Sequence, residues 1–167
     1  MKKKIVLYTN QKLREKSTRV LKIDNSVKKL IKDMIDTMKA DNGIGLSAIQ
    51  IGKSKRVIIY EYIKPKKSKD LNSEIPLKVL INPEITNFSR KKKTDEEGCL
   101  SFPNLYGIVE RSTHIKVTAL GLDGKKIKFG AKGLEARIIQ HEIDHLDGIL
   151  FVDHLKNLDE LYTYEIK

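Results

Sequence analysis

Apolar residues recur at helical spacing between residues 27 and 38, in the segment VKKLIKDMIDTM. The six apolar positions are Val27, Leu30, Ile31, Met34, Ile35 and Met38. This i, i+3, i+4, i+7 spacing places side chains along one face of an α-helix. Asp24, Asn25 and Ser26 can cap the N-terminus of that helix, and Asn42 with Gly43 forms a stop after it. The pattern predicts an amphipathic helix near the N-terminus.

Segments rich in β-branched and aromatic residues predict three strands, at 56–63, 77–85 and 114–122. Asp123 and Gly124 follow the third strand and lead into the sequence KKIKF, a pattern typical of a β-hairpin. The lysine-rich stretch between Ile63 and Pro76 predicts an exposed, mobile loop.

The segment GLEARIIQHEIDHLDG, residues 133–148, predicts a second helix that ends at Gly148. The order is therefore helix, several strands, helix, without regular βαβ alternation. This order predicts the α+β class, with an antiparallel or mixed sheet packed around the second helix. A chain of 167 residues is long enough to bury one core, so we expect a single domain over residues 1–167.

The composition favours a soluble globular protein, with 40% hydrophobic and 33% charged residues. No apolar run approaches the roughly eighteen residues of a membrane helix, so we expect no membrane association. The basic N-terminus is followed by only three apolar residues, Ile5, Val6 and Leu7, too few for a signal peptide. The sequence predicts a cytoplasmic protein.

The formal net charge of +11 raises the question of a nucleic-acid partner. Lysines concentrate in the segments IKPKKSKD (63–70) and SRKKKTDEE (89–97), and aromatic residues are not interleaved with them. A base-stacking platform is therefore missing, and the segments are typical of solvated loops. We expect no sequence-specific nucleic-acid binding and leave open a weak association with the ribosome.

The segment QHEIDHLDG places two histidines four residues apart on the second predicted helix. At about 100° per residue, His141 and His145 fall on one stripe with Leu134 and Ile138. Glu142 directly follows the first histidine. This H-E-x-x-H arrangement is typical of a metal site in which the histidines bind the ion and the glutamate transfers protons.

A hydrolytic metal site usually has three protein ligands and one open position, so a third ligand is needed. Cys99 is the only cysteine of the chain, which excludes an intramolecular disulfide and favours a reducing compartment. Its thiolate would complete a Cys-His-His set, and the preceding Gly98 allows close backbone approach. A zincin-like endopeptidase would instead use a downstream ligand, for which the candidates are Asp153, His154, Asp159 and Glu160.

Such an ion lowers the pKa of bound water from 15.7 toward about 7, which generates hydroxide at neutral pH. A carboxylate at hydrogen-bond distance can accept the proton and pass it to a leaving amine. The resulting oxyanion requires donors from backbone N–H groups or a side-chain amide.

The segment GIGLSAIQIG (43–52) contains the pattern G-x-G-x-x-A of dinucleotide-binding proteins. A true fingerprint follows a strand and opens a helix, whereas this segment follows a predicted helix. We interpret it as a loop whose glycines bring the backbone close to a substrate, with Gln50 offering an amide donor.

The chain resembles peptide deformylases in three segments that share the family's order and spacing. These are GIGLSAIQ (43–50), EGCLS (97–101) and QHEIDHLDG (140–148), and the resemblance covers essentially the whole chain. It implies hydrolytic removal of the formyl group from the N-terminal formyl-methionine of nascent proteins, with release of formate. In this reaction a metal-bound water attacks the formyl carbonyl.

The resemblance also implies site residues. Cys99, His141 and His145 would bind one divalent metal ion, with Glu142 as general acid and base. Ferrous iron is typical of the family, with Zn²⁺, Ni²⁺ or Co²⁺ able to replace it; the ligand types alone fit zinc equally well. The oxyanion would be stabilised by Gln50 and the backbone N–H of Leu100. The predicted substrate-binding residues are Ile44, Gly45, Gly98, Leu134 and Ile138, of which Ile44, Leu134 and Ile138 are candidates for the methionine pocket.

The chain departs from the family pattern at three positions. Ser47 replaces an alanine, Ile49 stands where proline is common, and Tyr106 stands where some bacterial members carry a substrate-contacting arginine. Glu97 and Arg111 form either an ion pair near the site or two ordinary surface charges. Asp144 either orients a neighbouring group or faces water.

Two other functions compete with the deformylase. A zincin-like endopeptidase would cut internal peptide bonds and would not need Cys99. A basic ribosome- or nucleic-acid-binding protein without enzymatic activity would bind in a salt-sensitive way and would not need Glu142.

Overall fold

A computed structural model describes residues 1–65 and 73–164. In chain order it contains helix α1 (Asn25–Ala40), strands β1 (Gly45–Ser47), β2 (Val57–Tyr62), β3 (Ile75–Phe88), β4 (Lys92–Cys99), β5 (Phe102–Ser112), β6 (His114–Leu120) and β7 (Lys126–Lys132), and helix α2 (Gly133–Leu146). The predicted loop between Ile63 and Pro76 lies largely outside the described residues.

Five strands form one antiparallel sheet in the order β1-β2-β3-β6-β7. The three strands predicted from β-branched residues correspond to β2, β3 and β6, and KKIKF begins β7, so these predictions are confirmed. All pairings between the named strands are antiparallel, so the sheet is antiparallel and not mixed. The α+β class is confirmed as well.

The segment 43–52, predicted as a loop, instead contains a strand and a 3-10 helix (Ala48–Ile51). Three residues of β1 pair with β2, and β1 is an edge strand of the sheet. Gly45 therefore lies in an edge strand of the sheet rather than in a loop.

The second sheet is the hairpin of β4 and β5. The lysine-rich segment 89–97, which we interpreted as a solvated loop, forms most of β4, and that interpretation is wrong for its secondary structure. The side chains of residues 92–96 nevertheless remain exposed to solvent. Lys92, for example, donates to Glu110 on the neighbouring strand at 3.0 Å. Inward-facing positions include a charged residue, Glu97, so the segment lacks the apolar alternation that identifies a strand.

Helix α1 begins after Asp24, whose carboxylate accepts hydrogen bonds from the backbone N–H groups of Ser26 and Val27. Its apolar stripe packs on one face of the five-stranded sheet, against residues of β1, β2 and β3. The predicted amphipathic helix and its cap are confirmed. The fully buried residues of this stripe are Met34 and Met38.

Helix α2 packs on the opposite face of the sheet and is buried on most of its surface. Ala136, Ile139, Ile143 and Leu146 belong to the core shared with β2, β3 and β6. The helix ends before Gly148, which has a left-handed backbone conformation with φ of 76°. The β4–β5 hairpin lies against the other side of α2, so this helix has a sheet on each side.

Among the described residues, neither helix combines the length and the apolar character that crossing a membrane requires.

We expect Met34→Ala to destabilise the protein by about 2–5 kcal/mol, because a fully buried side chain is replaced by a cavity between α1 and the sheet. Leu21, which is 96% exposed, provides the control: Leu21→Ala should change stability by less than about 0.5 kcal/mol. Denaturant unfolding of both variants measures the difference. Equal effects would contradict the packing of α1 described above.

Candidate metal centre and active site

A buried carboxylate, that of Glu97, connects the hairpin to α2. Arg111 of β5 donates to it through Nε and Nη2, both at 3.0 Å. Arg137 of α2 donates from Nη1 at 2.6 Å, and Nδ1 of His141 lies 3.0 Å away. Burial alone would raise the pKa of Glu97, but the hydrogen bonds from His141 and Arg111 hold it well below its usual range. Glu97 is therefore ionised and fixes the orientation of the His141 ring.

Arg111 also extends this network away from the site. Its Nη1 donates to Asp144 at 2.5 Å, and Nε2 of His154 lies 2.7 Å from the same carboxylate oxygen. Glu97 and Arg111 thus form a buried ion pair. Asp144 contacts both Arg111 and His154 rather than only solvent.

Cys99, His141 and His145 come together at one point. Cys99 lies at the end of β4, beyond Glu97, and the two histidines project from successive turns of α2. The three ligand atoms all lie within 4.8 Å of one another, and Sγ of Cys99 is 3.3 Å from Nε2 of His145. The structure therefore brings together the three residues that the sequence analysis selected.

This donor set fits a single transition-metal ion. Nδ1 of His141 is hydrogen-bonded to the carboxylate of Glu97, so Nε2 of that ring is the nitrogen available to a metal ion. Burial lowers the pKa of His145 well below its usual value. The pKa of His141 is raised instead, because its contacts with Cys99 and Glu97 outweigh the effect of burial. Both imidazoles would have to be neutral to bind a metal ion. One thiolate and two imidazoles are ligands that suit zinc and iron.

The downstream ligand candidates of the zincin alternative are not part of the group formed by Cys99, His141 and His145. Asp153 forms an ion pair with Arg14, and His154 pairs with Asp144. Asp159 and Glu160 are both exposed in the 3-10 helix Leu158–Glu160.

The carboxylate of Glu142 is buried beside this site. Its Oε2 has no hydrogen-bond partner among the described residues. Burial raises the pKa of Glu142 to about 7, and the negative charges of Glu97 and Asp144 add to the rise. A carboxyl group with this pKa can accept and release a proton near neutrality.

Gly45 is required by the position of Glu142. A β-carbon at position 45 would overlap with Oε1 of Glu142, so a side chain there would displace the carboxylate. Gly45 is also a predicted substrate-binding residue, so its contact with Glu142 is a second reason for glycine at this position. The neighbouring Gly43 accommodates Leu100, whose Cδ1 would lie 2.7 Å from a β-carbon there.

Gln50 is held in one orientation by hydrogen bonds at both ends of its amide. Its Oε1 accepts from the backbone N–H and the hydroxyl of Ser47, both at 2.9 Å. Its Nε2 faces Sγ of Cys99 at 3.3 Å and Oγ of Ser101 at 3.2 Å. The amide nitrogen of Gln50 therefore faces Cys99 and Ser101.

Two further residues, Ser47 and Arg137, contribute to the site and were not among the predicted site residues. Ser47, which departs from the family pattern, forms with Gln50 the capping-box pattern S-x-x-Q, and this signal is present in the sequence. Arg137 joins Glu97 to α2 and also donates to the backbone carbonyls of Lys93 and Val109. No sequence signal distinguishes it from a surface arginine.

A cleft of about 820 Å³ opens over these residues. It passes between β1 on one side and the β4–β5 hairpin on the other. All five predicted substrate-binding residues line it, together with Gln50, Cys99, Leu100, His141 and Glu142. His145 lies beneath the surface of the cleft and is almost completely buried.

Comparison with known proteins agrees with this geometry. Residues 2–161 match the polypeptide deformylase family. A peptide deformylase of Desulforudis audaxviator is 46% identical over 149 residues, which cover 89% of this chain and 90% of that protein. A peptide deformylase of Thermomicrobium roseum is 43% identical over 157 residues, covering 94% of this chain and 88% of the relative.

Solved structures show the same fold. The peptide deformylase of Ehrlichia chaffeensis superposes with a TM-score of 0.86 at 34% identity, covering 96% of this chain and 91% of that one. The class I type b enzyme of Acinetobacter baumannii, with Met-Ala-Ser bound, gives 0.87 at 36% identity, covering 93% and 99%. The Synechococcus elongatus enzyme, in complex with actinonin, gives 0.83 at 37% identity, covering 93% and 80%. The chain therefore belongs to the polypeptide deformylase family.

Proposed function

We propose that this deformylase removes the formyl group from the N-terminal formyl-methionine of nascent proteins and releases formate. The observation that carries the proposal is the convergence of Cys99, His141 and His145 beside the buried carboxylate of Glu142, in a cleft open to a peptide. Family membership supports the reaction class. The catalytic domain would span residues 1–167, and a cytoplasmic location stays a prediction from the sequence.

One divalent ion would be held by the Cys99 thiolate and the two imidazoles. Ferrous iron is our expectation for the cell, with Zn²⁺, Ni²⁺ or Co²⁺ as substitutes. When bound, such an ion lowers the pKa of water toward about 7 and polarises a carbonyl oxygen. Glu97 contributes by fixing the His141 ring, since hydrogen bonding at one ring nitrogen orients the other toward the ion.

Glu142 would act as the general acid and base. Its buried carboxylate lies one residue from His141 on α2 and lines the cleft. It would accept a proton from the attacking water and deliver it to the amine of methionine as the C–N bond breaks. The raised pKa of Glu142 matches the role, because proton transfer is most efficient when the pKa lies near the working pH.

Gln50 and the backbone N–H of Leu100 would stabilise the oxyanion. The support for Gln50 is its fixed amide, whose N–H groups point at the Cys99 side of the site. Leu100 follows Cys99 directly, so its N–H lies next to the metal ligand. Preorganised donors of this kind are typically worth about 10²–10³ in turnover.

The substrate would lie extended in the cleft. Strand β1 is an edge strand, and an extended peptide can add to such an edge through backbone hydrogen bonds. Gly45 and Gly98 line the cleft on its two sides. Ile44, Leu134 and Ile138 supply the apolar surface for the methionine side chain. The Met-Ala-Ser bound to the Acinetobacter baumannii enzyme supports a peptide ligand of this kind.

Formate release from N-formyl-Met-Ala-Ser tests the proposal, using protein purified without oxygen and loaded with iron. We expect formate to appear in equal amount to free methionyl peptide. An internally cleaved peptide with the formyl group intact would contradict the proposal and favour the endopeptidase.

We expect Glu142→Ala to retain one metal ion per chain and to lose about 10²–10⁴-fold in kcat, because the variant removes proton transfer and leaves all three ligands. Metal content and formate release are measured on the same samples. An unimpaired rate would contradict the role of Glu142, and loss of the metal would show that its role is structural.

Weak association with the ribosome stays a proposal, supported by the charge of +11 and by edge strand β7. Lys126, Lys128 and Lys132 are exposed at alternating positions of β7, on the sheet face away from α2. Lysines on an edge strand also prevent strand addition between molecules, so they do not by themselves require an anionic partner.

Replacing these three lysines by glutamine should weaken co-sedimentation with ribosomes and leave formate release unchanged. Each lost phosphate contact should reduce the slope of log K against log salt by about 0.7, so we expect a slope shallower by about 2. The control replaces Lys12, Lys29 and Lys32, which pair with carboxylates. Equal weakening by both triple variants would indicate a nonspecific effect of net charge.

A further inference from the structure

The C-terminal residues 158–164, here called the tail, dock on β5. The backbone N–H of Tyr106 donates to the carbonyl of Tyr162, and that of Tyr162 donates to the carbonyl of Tyr106, both at 3.0 Å. Leu161 packs against the core cluster that includes Phe102 and Phe151. The tail thus extends the two-stranded hairpin at the point where β5 reaches the cleft.

Three tyrosines and one glutamate form a cluster at this junction, here called the tyrosine cluster. The Tyr106 ring contacts the Tyr164 ring edge-on at a centroid distance of 5.0 Å and the Tyr162 ring at 6.2 Å. The hydroxyls of Tyr162 and Tyr164 both donate to Oε2 of Glu96, the former at 2.5 Å. Two phenols of the tail therefore converge on one carboxylate of β4.

The tyrosine cluster borders the cleft. Glu96, Gly98 and Tyr106 all line it, and Gly98 directly precedes Cys99. The Tyr106 ring packs closely against Gly98, since a β-carbon there would be 2.7 Å from Cε1 of Tyr106. Along β4, Glu96 lies three residues from Cys99, roughly 10 Å at the usual strand rise. An extended peptide with its formyl group at Cys99 would reach this distance with its second and third residues.

The hairpin needs support at this end. Two-stranded hairpins are marginally stable alone. The register of β4 and β5 shifts between the pairs Gly98–Tyr106 and Cys99–Phe102, so residues 103–105 of β5 form an irregularity in which Asn104 has a positive φ of 60°. The tail supplies a third backbone pairing directly beside this irregularity.

We propose that the tail is a positioning element for substrate. It holds Tyr106 and Glu96 as a fixed wall that contacts the residues following formyl-methionine, and so gives the enzyme affinity for peptides beyond the first residue. This inference rests on the proposed function for its substrate. The tail leaves the metal ligands and Glu142 untouched, so its effect falls on peptide binding rather than on the chemical step.

The test combines a double variant, Tyr162→Ala with Tyr164→Ala, and two substrates of different length. For N-formyl-Met-Ala-Ser we expect KM to rise about three- to tenfold with kcat within twofold of the unmodified enzyme. For N-formyl-methionine amide, which ends before the tyrosine cluster, both constants should stay within twofold. Leu158→Ala, an exposed tail residue outside the tyrosine cluster, is the matched control and should change neither.

An equal decrease in kcat/KM for both substrates would overturn the proposal, because it would show that the tail supports the whole site. Unchanged constants on both substrates would overturn it as well. Tyr162→Phe with Tyr164→Phe keeps the ring contacts with Tyr106 and removes the hydroxyls that hold Glu96. Its KM for the tripeptide should therefore lie between those of the unmodified enzyme and the double alanine variant.

Calorimetric binding of Met-Ala-Ser and of methionine amide separates this proposal from the proposed function, because it needs no turnover. We expect the double alanine variant to bind Met-Ala-Ser about three- to tenfold more weakly and methionine amide equally well. This result would support the tail even if no formate were released. Equal affinity of the variant and the unmodified protein for Met-Ala-Ser would overturn it.

Discussion

The carboxylate of Glu97 is the interaction on which the candidate site depends. It accepts hydrogen bonds from Arg111 on β5, from Arg137 on α2 and from the ring of His141, and it lies two residues before Cys99 on β4. One ionised group thus joins the strand that carries the thiolate to the helix that carries both imidazoles. The three ligand atoms meet because this network fixes β4 against α2.

Removing one member of this network would lower the stability of the protein. A buried charge that loses one partner destabilises a protein by about 3–5 kcal/mol, since the remaining charge is left without compensation. Here the fixed charges would also serve the proposed chemistry. They orient His141, and the negative charge of Glu97 adds to the raised pKa of Glu142. Stability and preorganisation of the site therefore have the same structural origin.

The parts of the fold that follow local periodicity could be predicted from the sequence. The apolar stripe of α1, the β-branched runs of β2, β3 and β6, and the spacing of His141 and His145 are all properties of short segments. Strand β4 could not be predicted, because its inward-facing Glu97 and its charged outer positions give no apolar alternation. Its partners lie 14, 40 and 44 residues away, and only the folded chain shows that this glutamate is inside.

The candidate site could likewise be predicted only in part from the sequence. Residue types and the resemblance to deformylases selected Cys99 and the histidine pair. The requirement for glycine at position 45 depends on where the Glu142 carboxylate lies, and the tyrosine cluster depends on a tail that returns to β5 from the end of the chain. These are contacts between distant segments, which no pattern within one segment can reveal.

X-ray absorption spectroscopy of the zinc-loaded protein tests the central claim most directly. The Glu97 network places the Cys99 thiolate beside the two imidazoles, so the account predicts one sulfur at about 2.3 Å from the metal and two nitrogens at about 2.0–2.1 Å. Loss of the sulfur shell in Cys99→Ala would identify the ligand. A spectrum of the unmodified protein with nitrogen and oxygen ligands only would contradict the account, because the metal would then be held without β4.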